Sequence, residues 1–166
     1  MTTLPIDNHV VIPEYLLAID AGVKTGLALF SRPDKLIWYR SHNMGSVNGL
    51  RKAAYNLIHS IENLTCIAVE GGGPVAVAWI KEAGKQNIKI ISTDAGEWRK
   101  QMLFPREYRN STTAKRNAII LSGSIIENSE APSWNSPTHD AAEAILIGYW
   151  ACKSVGWINK LNLINR

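Results

Sequence analysis

Apolar positions fall into short runs in the first part of the chain and into helical spacing later. Leu16–Ile19 is an apolar run of strand length that ends on Asp20. Leu27–Phe30 is a second such run, across a turn bracketed by Gly22 and Gly26. Glycine there serves a positive φ or a close backbone approach. Leu36–Arg40 reads as a third strand after the Arg32-Pro33-Asp34 turn. Leu50, Ala53, Ala54, Leu57, Ile58 and Ile61 predict an amphipathic helix over Gly49–Ile61. Cys66–Glu70 is another buried strand, and it too ends on a carboxylate. Gly71-Gly72-Gly73-Pro74 breaks the chain before a helix over Val75–Lys85, with Val75, Ala78, Trp79 and Ala83 on one side. Ile88–Ser92 is predicted as strand. Thr93 or Asp94 then caps a helix through Met102, and a polar loop covers Phe104–Asn110. Ser111 or Thr112 caps a helix reaching Glu127. After a loop over Asn128–Pro137, Ser136-Pro137 starts a last long helix running to Val155.

Three strands, a helix, a strand, a helix, a strand and then helices make an α/β chain. The expected architecture is a mixed central sheet with a leading antiparallel meander, flanked by helices. One domain over residues 15–155 is expected, with an extended N-terminal arm over 1–14 and a C-terminal tail over 156–166.

Composition changes this picture little. A chain of 166 residues, 46% hydrophobic and 19% charged, fits one globular domain with a sizeable core. No apolar run reaches membrane-spanning length, and no membrane partner is expected. Met1–Tyr15 lacks a basic stretch followed by an apolar core, so no secretory signal is expected. Cys66 and Cys152 lie in apolar contexts without metal spacing and read as buried free thiols, which fits a reducing, intracellular compartment.

Charge changes it more. The net charge is +4. Arg99, Lys100, Arg106, Arg109, Lys115 and Arg116 lie within one segment against Glu107 alone, which points to a polyanionic partner. Most of the six tryptophans are expected to pack, with some available to stack on bases.

Carboxylates stand where they are expensive. Asp20 and Glu70 each end a buried strand, and an ionised carboxylate there needs a partner or a metal. Asp140 and Glu143, at i and i+3, share one face near the start of the last helix. Each has an ordinary reading alone: Asp20 as an Asx turn, the helix pair as first-turn acids favoured by the macrodipole. Taken together they suggest more. Active sites collect at the carboxyl edge of an α/β sheet. If the first and fourth strands are neighbours, Asp20 and Glu70 lie side by side, and a helix crossing that edge adds Asp140 and Glu143. Clustered carboxylates repel one another unless cations sit between them. All-oxygen donors select Mg²⁺ or Mn²⁺. Two such ions about 4 Å apart form a clamp for phosphodiester cleavage, and the basic segment supplies phosphate contacts.

These motifs resemble a family. IDAGVKTGLALF is similar to the IDPG…TG motif that opens RuvC-type Holliday junction resolvases, of the ribonuclease H-like superfamily. IAVEGGG resembles their second acidic strand, STDAGEWRKQML the strand and Trp-Arg-Lys segment after it, and DAAEAILIGYWA the closing helix. The motifs come in family order over residues 15–155. The resemblance implies a ribonuclease H-like fold and a Mg²⁺-dependent endonuclease, with Asp20, Glu70, Asp140 and Glu143 as metal ligands. It also implies a homodimer that nicks a four-way DNA junction symmetrically.

The chain departs from that pattern in places. Ala21 stands where the family has proline, and Glu143 where it mostly has aspartate. Gly71-Gly72-Gly73-Pro74 replaces the aromatic expected after Glu70. Either that loop is more flexible or Trp79 substitutes from the next helix. His139 reads as a ligand or acid–base group, or as an exposed first-turn histidine. Lys24 reads as a contact to the scissile phosphate or as turn solvation. Lys115 and Arg116 read as phosphate contacts or solvated surface, Trp98 as a core anchor, and Asp94 as a helix cap. The expected activity is therefore resolution of four-way junctions. The alternatives are a ribonuclease H-like or YqgF-type nuclease acting on another nucleic acid, and a non-catalytic nucleic-acid-binding module.

Overall fold

The computed structural model describes residues 11–133 and 135–162. Residues 1–10 of the expected arm and 163–166 of the expected tail lie outside the described residues. Five strands form one sheet: β1 (Tyr15–Asp20), β2 (Lys24–Ser31), β3 (Lys35–Asn43), β4 (Leu64–Glu70) and β5 (Lys89–Thr93), in the order β3-β2-β1-β4-β5. β1, β2 and β3 form the antiparallel meander, while β4 and β5 run parallel to β1. The sheet is the mixed one expected from the chain's pattern.

β1 sits at the centre and is covered on both faces, which is why its sequence is a continuous apolar run rather than an alternating one. Leu17 and Ile19 face α1 (Val47–Ser60) and α2 (Gly73–Lys85). Leu16 and Ala18 face the other layer: α3 (Ala95–Met102), α4 (Ser111–Glu127) and α5 (His139–Ser154). Every residue of α5 from Asp140 to Cys152 is buried. It lies close against the sheet because the facing positions are small. A Cβ on Gly148 would come within 2.3 Å of the Phe30 ring and 3.0 Å of Ala18 Cβ. Beyond α5, Trp157, Ile158 and Leu161 pack against the same core.

Several boundaries differ from the expected ones, each for a local reason. Gly26 lies inside β2, paired with Asp20 and Ser41, and the turn is Ala21-Gly22-Val23. β3 extends past Arg40 to Asn43 because its polar end pairs with Lys24–Gly26. Asn110, rather than Ser111 or Thr112, caps α4, its side chain accepting the Thr113 N–H at 2.9 Å. Thr138 caps α5 by accepting the Ala141 N–H at 3.4 Å, so that helix starts after Ser136-Pro137 rather than on it. Gly71 and Gly72 alone link β4 to α2. Gly71 has φ +109°, and a Cβ there would lie 2.9 Å from the Ala21 carbonyl oxygen. Trp79 is fully buried between α2 and the sheet, so it does not replace the missing aromatic after Glu70. No helix among the described residues is long and apolar enough to cross a membrane.

Candidate functional site

β1 and β4 are parallel neighbours in a register that sets Asp20 directly beside Glu70. Side chains alternate across a strand. Asp20 therefore shares a face with Leu16 and Ala18, and Glu70 with Cys66 and Ala68, the face that α5 covers. α5 lays Glu143 over this edge of the sheet. One carboxylate oxygen from each of Asp20, Glu70 and Glu143 lies within 4.8 Å of the others.

Asp140, one turn earlier on α5, stands outside that group of three. Its Oδ1 pairs with His139 Nε2 at 2.8 Å, and its Oδ2 accepts from the Ser41 hydroxyl at 3.5 Å. It remains close enough for its charge to act on Asp20. His139 is partly exposed beside it.

The electrostatics are those of a site short of positive charge. Burial, followed by the charges of Glu143, Glu70 and Asp140, pushes the Asp20 carboxyl up to about 8, with Arg99 opposing. Burial also raises Glu70, against a lowering hydrogen bond from Trp98. Three convergent carboxylates, one of them holding its proton to an unusually high pH, form a hard-oxygen donor set that fits a divalent cation such as Mg²⁺ or Mn²⁺.

The third supporting element is α3. Asp94 caps it, accepting the Glu97 N–H at 2.9 Å. Trp98 is fully buried, and its indole Nε1–H donates to Glu70 Oε2 at 2.8 Å. Arg99 donates to Glu143 Oε1 in an ion pair, with its guanidinium 5.1 Å from the Trp98 ring centroid. Trp98 is thus more than a core anchor, and Arg99 is engaged with an acid of the cluster. Only one signal for either existed in the sequence: an indole N–H and a guanidinium on adjacent residues, just after the strand that neighbours the acidic one.

The other basic candidates are spread along the surface of the same layer. Lys24 is exposed at the start of β2, at the sheet edge that holds Asp20. Lys100 is exposed on α3. Arg106 lies on a 3₁₀ turn, Pro105–Glu107, with its guanidinium 5.2 Å from the Phe104 ring centroid. Arg109 is exposed just before α4, and Lys115 and Arg116 are exposed in that helix's first half. The segment therefore belongs to the layer that carries the acids, not to the α1–α2 side.

No family model and no curated protein matches the chain. Among solved structures, T. thermophilus RuvC in complex with a Holliday junction substrate matches with a TM-score of 0.63. The match covers 87% of this chain and 97% of that one, at 12% sequence identity. The yeast mitochondrial Holliday junction resolvase matches over 90% of this chain and 84% of that one, at 13% identity and a TM-score of 0.48. The first of these shows the fold: the chain has the ribonuclease H-like α/β fold.

Proposed function

We propose that this protein is a divalent-metal-dependent, structure-specific DNA endonuclease that resolves four-way junctions by paired symmetric nicks, in the manner of RuvC-type resolvases. The observation that carries the reading is the convergence of Asp20, Glu70 and Glu143 within 4.8 Å on one sheet face. A protein that only binds DNA gains nothing from carboxylates turned towards phosphates. The fold shared with a junction-bound RuvC supports the choice of substrate.

Asp20, Glu70 and Glu143 would hold Mg²⁺ or Mn²⁺, with Asp140 adjoining. The ion, when bound, supplies an activated water and offsets charge on the phosphate being cut. The chain's own residues do the rest. Asp20, in its ionised form, would hold the ion beside Glu70. Trp98 keeps Glu70 oriented. His139, partly exposed and paired with Asp140, is placed to move a proton at its Nε2. Lys24, Lys100, Arg106, Arg109, Lys115 and Arg116 hold the phosphate backbone. Symmetric cutting needs a homodimer. We assign that contact to the outer face of α1 and α2, where Val47, Tyr55 and Val77 are exposed.

A second reading draws on one observation. The loop after Glu70 carries glycine and proline where resolvases have an aromatic, and Trp79 is buried. A ribonuclease H-like nuclease for a hybrid or a flap would have no use for that aromatic. Cleavage of a four-way junction, a hybrid and a plain duplex, compared side by side, separates the two. In either case Asp20→Asn and Glu70→Gln abolish cutting while binding persists; near-normal cutting by either variant contradicts the assignment.

A further inference from the structure

Two consecutive residues of α3 reach two different carboxylates of the acidic cluster. Neighbouring side chains on a helix diverge by about 100°, so this end of α3 brackets the cluster from two sides. Trp98 is neutral and fully buried, and its hydrogen bond takes only Oε2 of Glu70. Oε1 is left to coordinate, with the carboxylate plane fixed, which is how outer partners commonly orient metal ligands. Arg99 is different in kind. It brings a full positive charge into the cluster and spends it on Glu143. Its Nε is buried without a hydrogen-bond partner among the described residues, so this pose does not satisfy the whole guanidinium. Arg99 also opposes the upward push on both Asp20 and Glu70, as a cation among them would.

We propose that Arg99 is a built-in counter-cation that neutralises Glu143 in the metal-free protein and yields that carboxylate when a divalent ion binds, while Trp98 holds Glu70 in place in both states. The inference rests on the metal-site reading above. Both are positioning residues, acting through carboxylates rather than on substrate. The site is thereby kept from unbalanced negative charge before metal arrives, at the expense of a competing cation that lowers its affinity.

The test is a Mn²⁺ titration, followed by the electron paramagnetic resonance signal of free Mn²⁺, on the wild type and on Arg99→Gln, Arg99→Lys and Trp98→Phe. Removing a unit charge beside the ion should tighten Mn²⁺ binding about tenfold in Arg99→Gln, while Arg99→Lys, which keeps the charge, should stay near wild type. Trp98→Phe should weaken it about tenfold, the lower end of the effect of losing such an outer partner. A role of α3 in packing alone would move both positions the same way. In the wild type, the Arg99 Nε–H resonance should shift on addition of Mg²⁺. If Arg99→Gln binds Mn²⁺ no tighter than wild type, the proposal is overturned and the metal site stands. If Arg99→Gln fails to fold by circular dichroism, the uncharged Arg99→Met decides: affinity above wild type supports the proposal, and affinity at or below it overturns it. If the wild type binds no Mn²⁺, the metal-site reading falls and the proposal with it.

Discussion

Gly26 of β2 stands so close to the backbone of α5 that a Cβ there would lie 1.9 Å from the Asp140 carbonyl oxygen. No other residue type lets the first turn of α5 settle on the sheet, and that turn leads directly to Glu143. Gly26→Ala must push helix and strand apart. Overpacking of this kind costs about 3 kcal/mol, and the carboxylates should separate as well. Urea denaturation and Mn²⁺ titration check both effects. Gly123→Ala is the control. It lies inside α4 with open space at its Cβ, and should stabilise by about 0.5–1 kcal/mol.

Asp20 makes the metal-free protein sensitive to pH. Its carboxyl titrates at about 8 in the folded chain, against 3.8 for an ordinary aspartate. Below the lower value both folded and unfolded chains hold the proton, and Asp20 carries no penalty. Between the two values the unfolded chain releases a proton that the folded chain keeps, so stability falls as pH rises. Above 8 the loss is complete. Metal-free wild type should therefore melt at a lower temperature at pH 8 than at pH 5. Asp20→Asn should remove most of that difference and be more stable than wild type at pH 8. Mg²⁺ should raise the melting temperature of the wild type and leave the variant unchanged. Thermal melts at the two pH values, with and without Mg²⁺, test this.

Lys115 and Arg116 are exposed on the layer that carries the acids. Each alanine variant should weaken junction binding and reduce the slope of log K against log salt by about 1. Lys89→Ala lies at the far end of β5 from the acidic edge and should leave that slope unchanged. Fluorescence anisotropy at several salt concentrations distinguishes them.

Much of this was legible in the chain, and the rest failed to show for physical reasons. Asp20 and Glu70 stood out because each closes an apolar run of strand length, but that their strands are neighbours was only a condition, because β2, β3 and α1 lie between them in the chain and only the fold pairs β1 with β4. The i, i+3 spacing put Asp140 and Glu143 on one helix face, but not which of them meets the strand acids. That depends on Ser41 and His139, which draw Asp140 aside. Gly26 read as a turn glycine because a close approach from a helix more than a hundred residues away leaves no local trace. Trp98 and Arg99 read as anchor and phosphate contact because their partners come from β4 and α5. Helix starts slipped where two cap-forming residues were adjacent, as with Asn110 and Ser111.

The most direct test is a gel assay with a labelled four-way DNA junction, run with Mg²⁺ and with EDTA. Paired nicks placed symmetrically across the junction should appear with Mg²⁺ and be absent with EDTA and in Asp20→Asn. An intact junction with Mg²⁺ and Mn²⁺ alike, under conditions where the protein binds it, would rule out the junction endonuclease.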